Sequence, residues 1–94
     1  MDFIEIKGEQ KPFRFGLRAL KRLEADFGVD KFQNIIQGVQ LGFGDTVNLA
    51  ELVLYIGLSE GARAAGEKNA INKKSAEDLI DEGGMPFMEK VMEK

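Results

Sequence analysis

One stretch, residues 12–28, constrains the fold more than any other part of the chain, and it reads PFRFGLRALKRLEADFG. It opens with aromatic side chains at alternate positions, Phe13 and Phe15, which is the spacing of a β-strand. After Gly16, apolar residues recur at helical spacing and share an arc of about 120°; they are Leu17, Leu20, Leu23 and Phe27. The pattern predicts a strand that leads into an amphipathic helix, which ends at Gly28.

The residues before this stretch predict the other half of a β-hairpin. Residues 2–7 alternate charged and apolar side chains, residues 8–10 offer a turn, and residues 11–15 alternate again. The covered side of the hairpin is predicted to carry Phe3 or Ile4, Ile6, Phe13 and Phe15. Pro12 cannot donate a backbone hydrogen bond, so we expect its strand to lie at an edge or its nitrogen to face outward.

Apolar periodicity and capping residues predict further helices over 31–40, 47–65 and 76–82 and from Pro86 onward. Asp30 is the predicted N-cap of the first of these helices, and Ser75 opens a capping box before the third. The glycine-rich residues 41–46 are predicted to form a loop, with Phe43 returning to the core.

The helix predicted over 47–65 is apolar on two sides, because Leu54 and Leu58 project away from its main apolar arc. Such a helix is either central to the bundle or half of an interface. Within it, Gly57 and Gly61 have the spacing that allows close approach of a second element. We expect that element to be the helix predicted over 31–40 or the helix predicted over 76–82.

The predicted fold is mainly α with a short N-terminal β-hairpin, that is, a small helical bundle of four to five helices (α+β). Residues 1–94 are expected to form a single domain, with the hairpin over 1–15 and the bundle over 16–94. Residues 66–72 are predicted to be a polar break between helices, and the last helix is expected to be open-ended at Lys94.

Composition argues against most enzyme chemistry, because the chain has neither cysteine nor histidine. These absences remove sulfur-based metal sites, thiolate catalysis and the commonest general base. We therefore predict a protein that is not an enzyme, with no catalytic residues, no cofactor and no metal site. The acidic cluster Glu77, Asp78, Asp81 and Glu82 is interpreted as a solvated helix face, and residues 42–44 as a plain interhelical loop rather than a phosphate-binding one. The N-terminus is unlike a signal peptide and no apolar run is long enough to span a membrane, so a cytoplasmic protein is expected.

The two halves of the hairpin and the helix that follows resemble the start of the phage tail assembly chaperones of long-tailed phages and prophages. The residues that carry the resemblance are FIEIK at 3–7, PFRF at 12–15, GLRALKRLE at 16–24 and the Phe27-Gly28 stop. The apolar residues 49–58 also lie where that family has its second strongly hydrophobic segment. The resemblance covers residues 1–28 closely and most of the remaining chain loosely.

This resemblance implies a non-enzymatic chaperone that binds the tape measure protein, the tail tube protein or both during tail morphogenesis. It implies a location in the cytoplasm of the host bacterium and absence from the mature virion. We expect the client to be covered by apolar surface that remains exposed on the helix predicted over 47–65 and on the helix predicted from Pro86 onward. The predicted protein-binding residues are Leu54, Leu58, Phe87, Met88, Val91 and Met92. The same surface could instead support a homo-oligomer.

The alternative is a small nucleic-acid-associated regulatory protein that uses a basic helix face, formed by Arg14, Arg18, Lys21 and Arg22. The net charge of -3 disfavours general attraction to nucleic acid, and Glu24 and Asp26 lie on the same helix. Binding to nucleic acid is therefore the less favoured of the two hypotheses.

Overall fold

The structure, a computed structural model, describes residues 2–68 and 71–93. Two strands are followed by helices in this part of the chain: β1 (Asp2–Ile6), β2 (Glu9–Phe13), α1 (Leu17–Phe27), α2 (Val29–Ile36), α3 (Phe43–Ala64) and α4 (Lys73–Met92). The predicted fold class is confirmed: the protein is mainly helical with an N-terminal two-stranded hairpin. Part of the polar break predicted over 66–72, and the open end predicted at Lys94, lie outside the described residues.

The hairpin turn begins one residue earlier than predicted. Lys7 and Gly8 form the turn, with φ of 50° and 82°, which are the positive values that a type I′ turn requires. The strands pair so that Ile6 faces Glu9 and Phe3 faces Pro12. Because hydrogen-bonded and non-hydrogen-bonded pairs alternate along an antiparallel ladder, the nitrogen of Pro12 faces away from β1, as predicted.

Helix α1 has the predicted bounds but turns a different face to the core. Ala19, Leu23 and Phe27 are buried, whereas Leu17 is 86% exposed and Leu20 is 39% exposed. The buried residues follow one another at four-residue spacing, so they lie on one face of the helix. The face that α1 turns to the core therefore begins at Ala19 rather than at Leu17 or Leu20.

Helix α2 begins and ends earlier than predicted. It follows α1 directly through Gly28, which has φ of 106° and is its N-cap, so Asp30 lies in the first turn. Gly38 has φ of 78°, and the hydrogen bonds from its N–H to the carbonyl of Ile35 and from the Val39 N–H to the carbonyl of Asn34 form a Schellman motif. The helix therefore ends at Ile36 because glycine adopts the left-handed conformation that stops it.

Helix α3 is the centre of the fold and begins at Phe43, four residues before the predicted start. Its buried side chains on both apolar sides explain its composition: β2, α1 and α4 pack around it. The Cβ-free surfaces of Gly57 and Gly61 receive β2, because a Cβ atom at either position would overlap the Phe13 ring or the Pro12 backbone. The prediction that these glycines contact a helix was wrong, since their partner is a strand.

Helix α4 joins the two predicted C-terminal helices across a kink. Gly84 has φ of 67° inside α4, so the chain breaks its helical path where the sequence places a Gly-Gly pair. The N-cap is Asn72, whose side-chain oxygen accepts a 2.8 Å hydrogen bond from the Ser75 N–H. Ser75 was expected to open a capping box and instead lies inside the first turn.

Candidate protein-binding surface

Four of the six predicted binding residues lie inside the core. Leu54 and Val91 are 0% exposed, Leu58 is 5% exposed and Met88 is 6% exposed. Their predicted exposure was wrong. β2, α1 and α4 pack around α3 and cover both of its apolar sides, and α4 buries its own apolar residues in the same contact. Phe87 is half-buried against the core and Met92 is 43% exposed, so these two residues are the most accessible of the six.

Two residues of the predicted basic face, Arg18 and Arg22, form salt bridges with a buried acidic residue. Glu60 of α3 is only 7% exposed, and its carboxylate forms a 3.1 Å salt bridge with Arg18 Nε and accepts a 2.9 Å hydrogen bond from Arg22 Nη1. Arg22 also donates to Ser59 Oγ at 3.1 Å, and its guanidinium lies 5.9 Å from the centre of the Tyr55 ring. These contacts join α1 to α3, so two of the four basic residues have a structural role.

The remaining basic residues do not extend this network. Arg14 and Lys21 are exposed, and an exposed lysine or arginine on a helix-rich surface is ordinary. Sequence reasoning missed Glu60 because its partners lie 38 and 42 residues earlier in the chain. No local pattern identifies an ion pair between such distant positions.

The largest unburied part of the chain lies around α2. No residue from 28 to 48 is buried, although α2 is strongly amphipathic and therefore has an apolar face to cover. Phe32 and Ile35 pack partly against the core. In contrast, Val29 is 54% exposed, Ile36 is 70% exposed and, beyond the helix, Val39 is 50% exposed.

The first residue of α3 continues this apolar surface. Phe43 is 71% exposed, so the prediction that it returns to the core was wrong. It is the first helical residue after Gly42, the N-cap of α3. Leu41, by contrast, packs partly against the core.

Residues 32–44 carry no charged side chain, although 31% of the whole chain is charged. We call residues 32–44 the uncharged segment. The residues on either side of it, Lys31 and Asp45, form a salt bridge of 3.1 Å with each other, and Lys31 Nζ also lies 5.6 Å from the centre of the Phe27 ring. The salt bridge thus holds the two ends of the uncharged segment close together. Its lack of charge was a signal in the sequence that could have identified this surface.

A cleft of about 400 Å³ lies elsewhere, between the hairpin, the end of α3 and the first half of α4. Leu58, Ala62 and Leu79 contribute apolar surface to it, and a 3.6 Å salt bridge between Lys7 and Glu82 spans from the hairpin to α4. Its volume is within the range of small-molecule sites. The charged residues that line it are three lysines and three acids, so its charge favours neither an anionic nor a cationic ligand.

A third polar feature is an acidic neighbourhood between α3 and α4. The pKa of Glu51 is raised above its ordinary value of 4.5 by burial and by the nearby charges of Glu77 and Asp81. Within residues 2–68 and 71–93, no group of three or more acidic side chains is arranged to hold a metal ion. Burial and the nearby negative charges both disfavour the ionised form of Glu51 in the folded chain.

No protein-family model, curated protein or solved structure matches the chain. Across the residues that the structure describes, no helix is long and apolar enough to cross a membrane.

Proposed function

We propose that this protein is a non-enzymatic assembly chaperone that binds client proteins through the uncharged segment and the adjoining Val29. The observation that carries the proposal is that residues 28–48 include no buried residue while Ile36, Val39 and Phe43 are at least half exposed. Exposed apolar surface that is concentrated in one part of a small protein is typical of a binding site for another protein.

The resemblance of residues 1–28 to phage tail assembly chaperones supports a specific class of client. The clients proposed on that basis are the tape measure protein and the tail tube protein, bound during tail morphogenesis in the cytoplasm of the host bacterium. The chaperone would be absent from the mature virion. A tape measure protein is a long helical client, and a short helix with an exposed apolar face can cover apolar positions along such a helix.

The uncharged segment is suited to this task because binding removes no charged group from water. Covering a charge at an interface has a desolvation cost that its new partner must offset. Glutamine and asparagine side chains in the segment, Gln33, Asn34, Gln37 and Gln40, can exchange hydrogen bonds with water for hydrogen bonds with a client. The proposed surface thus combines apolar contacts with neutral donors and acceptors.

Coexpression with a tape measure protein tests this proposal. We expect the wild-type chain to increase the soluble fraction of the client and Ile36→Glu to abolish that increase, because a charge would then face the apolar surface of the client. Met85→Glu is the matched control, since Met85 is also a large apolar residue, 51% exposed, but lies on α4. A client that is equally insoluble with and without the wild-type chain would refute the proposal.

The nucleic-acid hypothesis has less support. Arg18 and Arg22 are engaged by Glu60, so the basic face that it requires is partly neutralised within the fold. Titration with DNA and RNA at low salt tests it: absence of binding there removes the hypothesis, because phosphate contacts are strongest at low salt.

A further inference from the structure

We infer that the uncharged segment binds a second copy of this chain when no client is present, so that two chains form a two-fold symmetric dimer. The inference rests on the proposed function in one respect, namely that the dimer covers the same surface as the client. Three features of the molecule lead to it: its total exposed area, the absence of charge in the segment, and the closure of the segment at its base.

The exposed area is larger than a monomer of this mass requires. The chain has 6037 Å² of accessible surface at 10.4 kDa, whereas a folded monomer of that mass exposes about 5,400 Å². The excess of about 600 Å² approaches the surface of about 800 Å² that each partner covers in an interface of standard size. The longest run of unburied residues in the part of the chain that the structure describes extends from 28 to 48, so a second copy has most uncovered side chains to contact there.

The absence of charge favours a second copy as the occupant. In a two-fold interface the same patch faces itself, so a charged residue near the axis meets the identical charge of the other chain. Residues 32–44 avoid this repulsion because they contain no Asp, Glu, Lys or Arg. A partner of different sequence would not impose that constraint, since charge on one side could be matched by opposite charge on the other.

The base of the segment presents a defined surface to a second copy. The Lys31–Asp45 salt bridge of 3.1 Å joins the start of α2 to the start of α3, and it pairs the two charges nearest the segment with each other. Ile36 is the most exposed apolar side chain of α2, at 70%. We therefore place Ile36 near the two-fold axis, where each copy would cover the Ile36 side chain of the other.

Opposite charges at one position test this arrangement. Sedimentation of the purified chain over a concentration series should show a dimer for the wild type. Ile36→Glu alone and Ile36→Lys alone should each weaken the dimer about tenfold or more, as expected for a central interface residue. An equimolar mixture of the two variants should recover a dimer that contains one copy of each, because unlike charges then face each other.

The controls separate a self-interface from other causes. Met85→Glu and Met85→Lys should dimerise as the wild type does. Circular dichroism should show native helicity for both Ile36 variants, because this side chain is mostly exposed, and recovery on mixing would itself exclude misfolding. A monomeric wild type at every concentration, unchanged dimerisation of the single variants, or no recovery on mixing would overturn the inference.

The outcomes also distinguish this inference from the proposed function. If the wild type is monomeric but Ile36→Glu still loses the client, the dimer is refuted and the chaperone proposal stands. If the charged variants dimerise only when mixed but neither affects solubility of the client, the proposed function is refuted and the dimer stands. If both hold, adding the client should convert dimer into a complex with one chain, because the two partners compete for one surface.

Discussion

The close contact between β2 and α3 gives the sharpest quantitative prediction. A Cβ atom at position 61 would overlap the carbonyl group of Pro12 and lie 2.7 Å from the backbone nitrogen of Phe13. Backbone atoms cannot rotate away as a flexible side chain can. Gly61→Ala therefore requires β2 to move away from α3, which disturbs the buried packing of Phe13, 1% exposed.

Two opposing effects decide the size of the change. Replacing glycine by alanine inside a helix stabilises it by about 1 kcal/mol through helix propensity. Overpacking a close contact costs about 1–3 kcal/mol, and the rigid backbone partner places Gly61→Ala toward the upper part of that range. We expect a net loss of about 1–2 kcal/mol, which corresponds to a decrease in Tm of about 5–15 °C for a domain of this size.

Gly44→Ala is the matched control on the same helix. Gly44 lies in the first turn of α3, and a Cβ atom there would meet no atom within 4 Å. Only the backbone effect then remains, so this variant should be more stable than the wild type by about 0.4–1 kcal/mol. Urea denaturation monitored by circular dichroism measures both variants, provided the slope of the transition is unchanged.

Gly57→Ala adds an internal test, because its Cβ atom would overlap the ring of Phe13 rather than backbone. Phe13→Leu removes the outer ring carbons, so the double variant should lose less stability than the sum of the single variants, with a coupling of about 0.5–3 kcal/mol. The same Phe13→Leu change should not relieve Gly61→Ala. Equal stabilities for Gly61→Ala and Gly44→Ala would show that β2 does not lie against α3 as described.

Three further predictions concern polar groups. Glu60→Gln should destabilise the fold by about 1–2 kcal/mol, which is less than the 3–5 kcal/mol of a fully buried ion pair because the arginine partners of Glu60 reach solvent. Thermal unfolding of Glu60→Gln, compared with Glu60→Asp, measures this loss. An unchanged stability would mean that the contacts of Glu60 with Arg18 and Arg22 do not hold α1 to α3. Asn72→Ala should cost about 1 kcal/mol by removing the N-cap of α4, with Asn72→Ser as the variant that keeps the cap, and equal denaturation midpoints for the two would contradict the assigned cap. The raised pKa of Glu51 means that the folded chain binds this proton more tightly than the unfolded chain does. Stability from this group is therefore present below the ordinary value of 4.5 and is lost as pH rises through the folded pKa. Glu51→Gln should thus be more stable than the wild type at pH 7, by no more than about 0.5 kcal/mol because solvent screens the charges around this partly exposed group, with the difference shrinking in acid. A variant less stable at pH 7 would contradict this.

The parts of the fold that the sequence predicts well are those with local signals. The alternation of residues 2–7 and 11–15 predicts the hairpin, the periodicity of residues 17–27 predicts α1, and the Gly83-Gly84 pair predicts the break in α4. Each signal concerns residues within a few positions of one another, and each element begins or ends within a few residues of its prediction. The turn at Lys7 and Gly8 was misplaced because a lysine gives no sign that it will adopt a positive φ.

The failures share a different cause, which is that they depend on distant residues. Leu54 and Leu58 were predicted to be exposed because they lie on the second apolar side of their helix. A helix that is apolar on two sides is either central to the bundle or half of an interface, and periodicity does not distinguish these two arrangements. The glycine pair in α3 was predicted to contact a helix because small residues permit close approach by any element. The choice of β2 follows from the tertiary arrangement, in which Arg14 donates a 3.0 Å backbone hydrogen bond to the carbonyl of Gly57.

The same reasoning explains why the proposed binding surface lies at α2 rather than on α3 and α4. Apolar periodicity marks which face of a helix needs a partner, and it marks α2 as clearly as it marks α1. In the fold, β2, α1 and α4 pack against α3, whereas α2 is in contact mainly with α1. A short helix that packs mainly against one neighbour retains an uncovered apolar edge, here Val29 and Ile36. That edge coincides with the one long stretch of residues 32–44 from which charge is missing, although the chain is highly charged elsewhere. Packing alone would accept a lysine or glutamate at the exposed positions of this stretch, so the absence of charge there supports the proposal that this surface binds a partner.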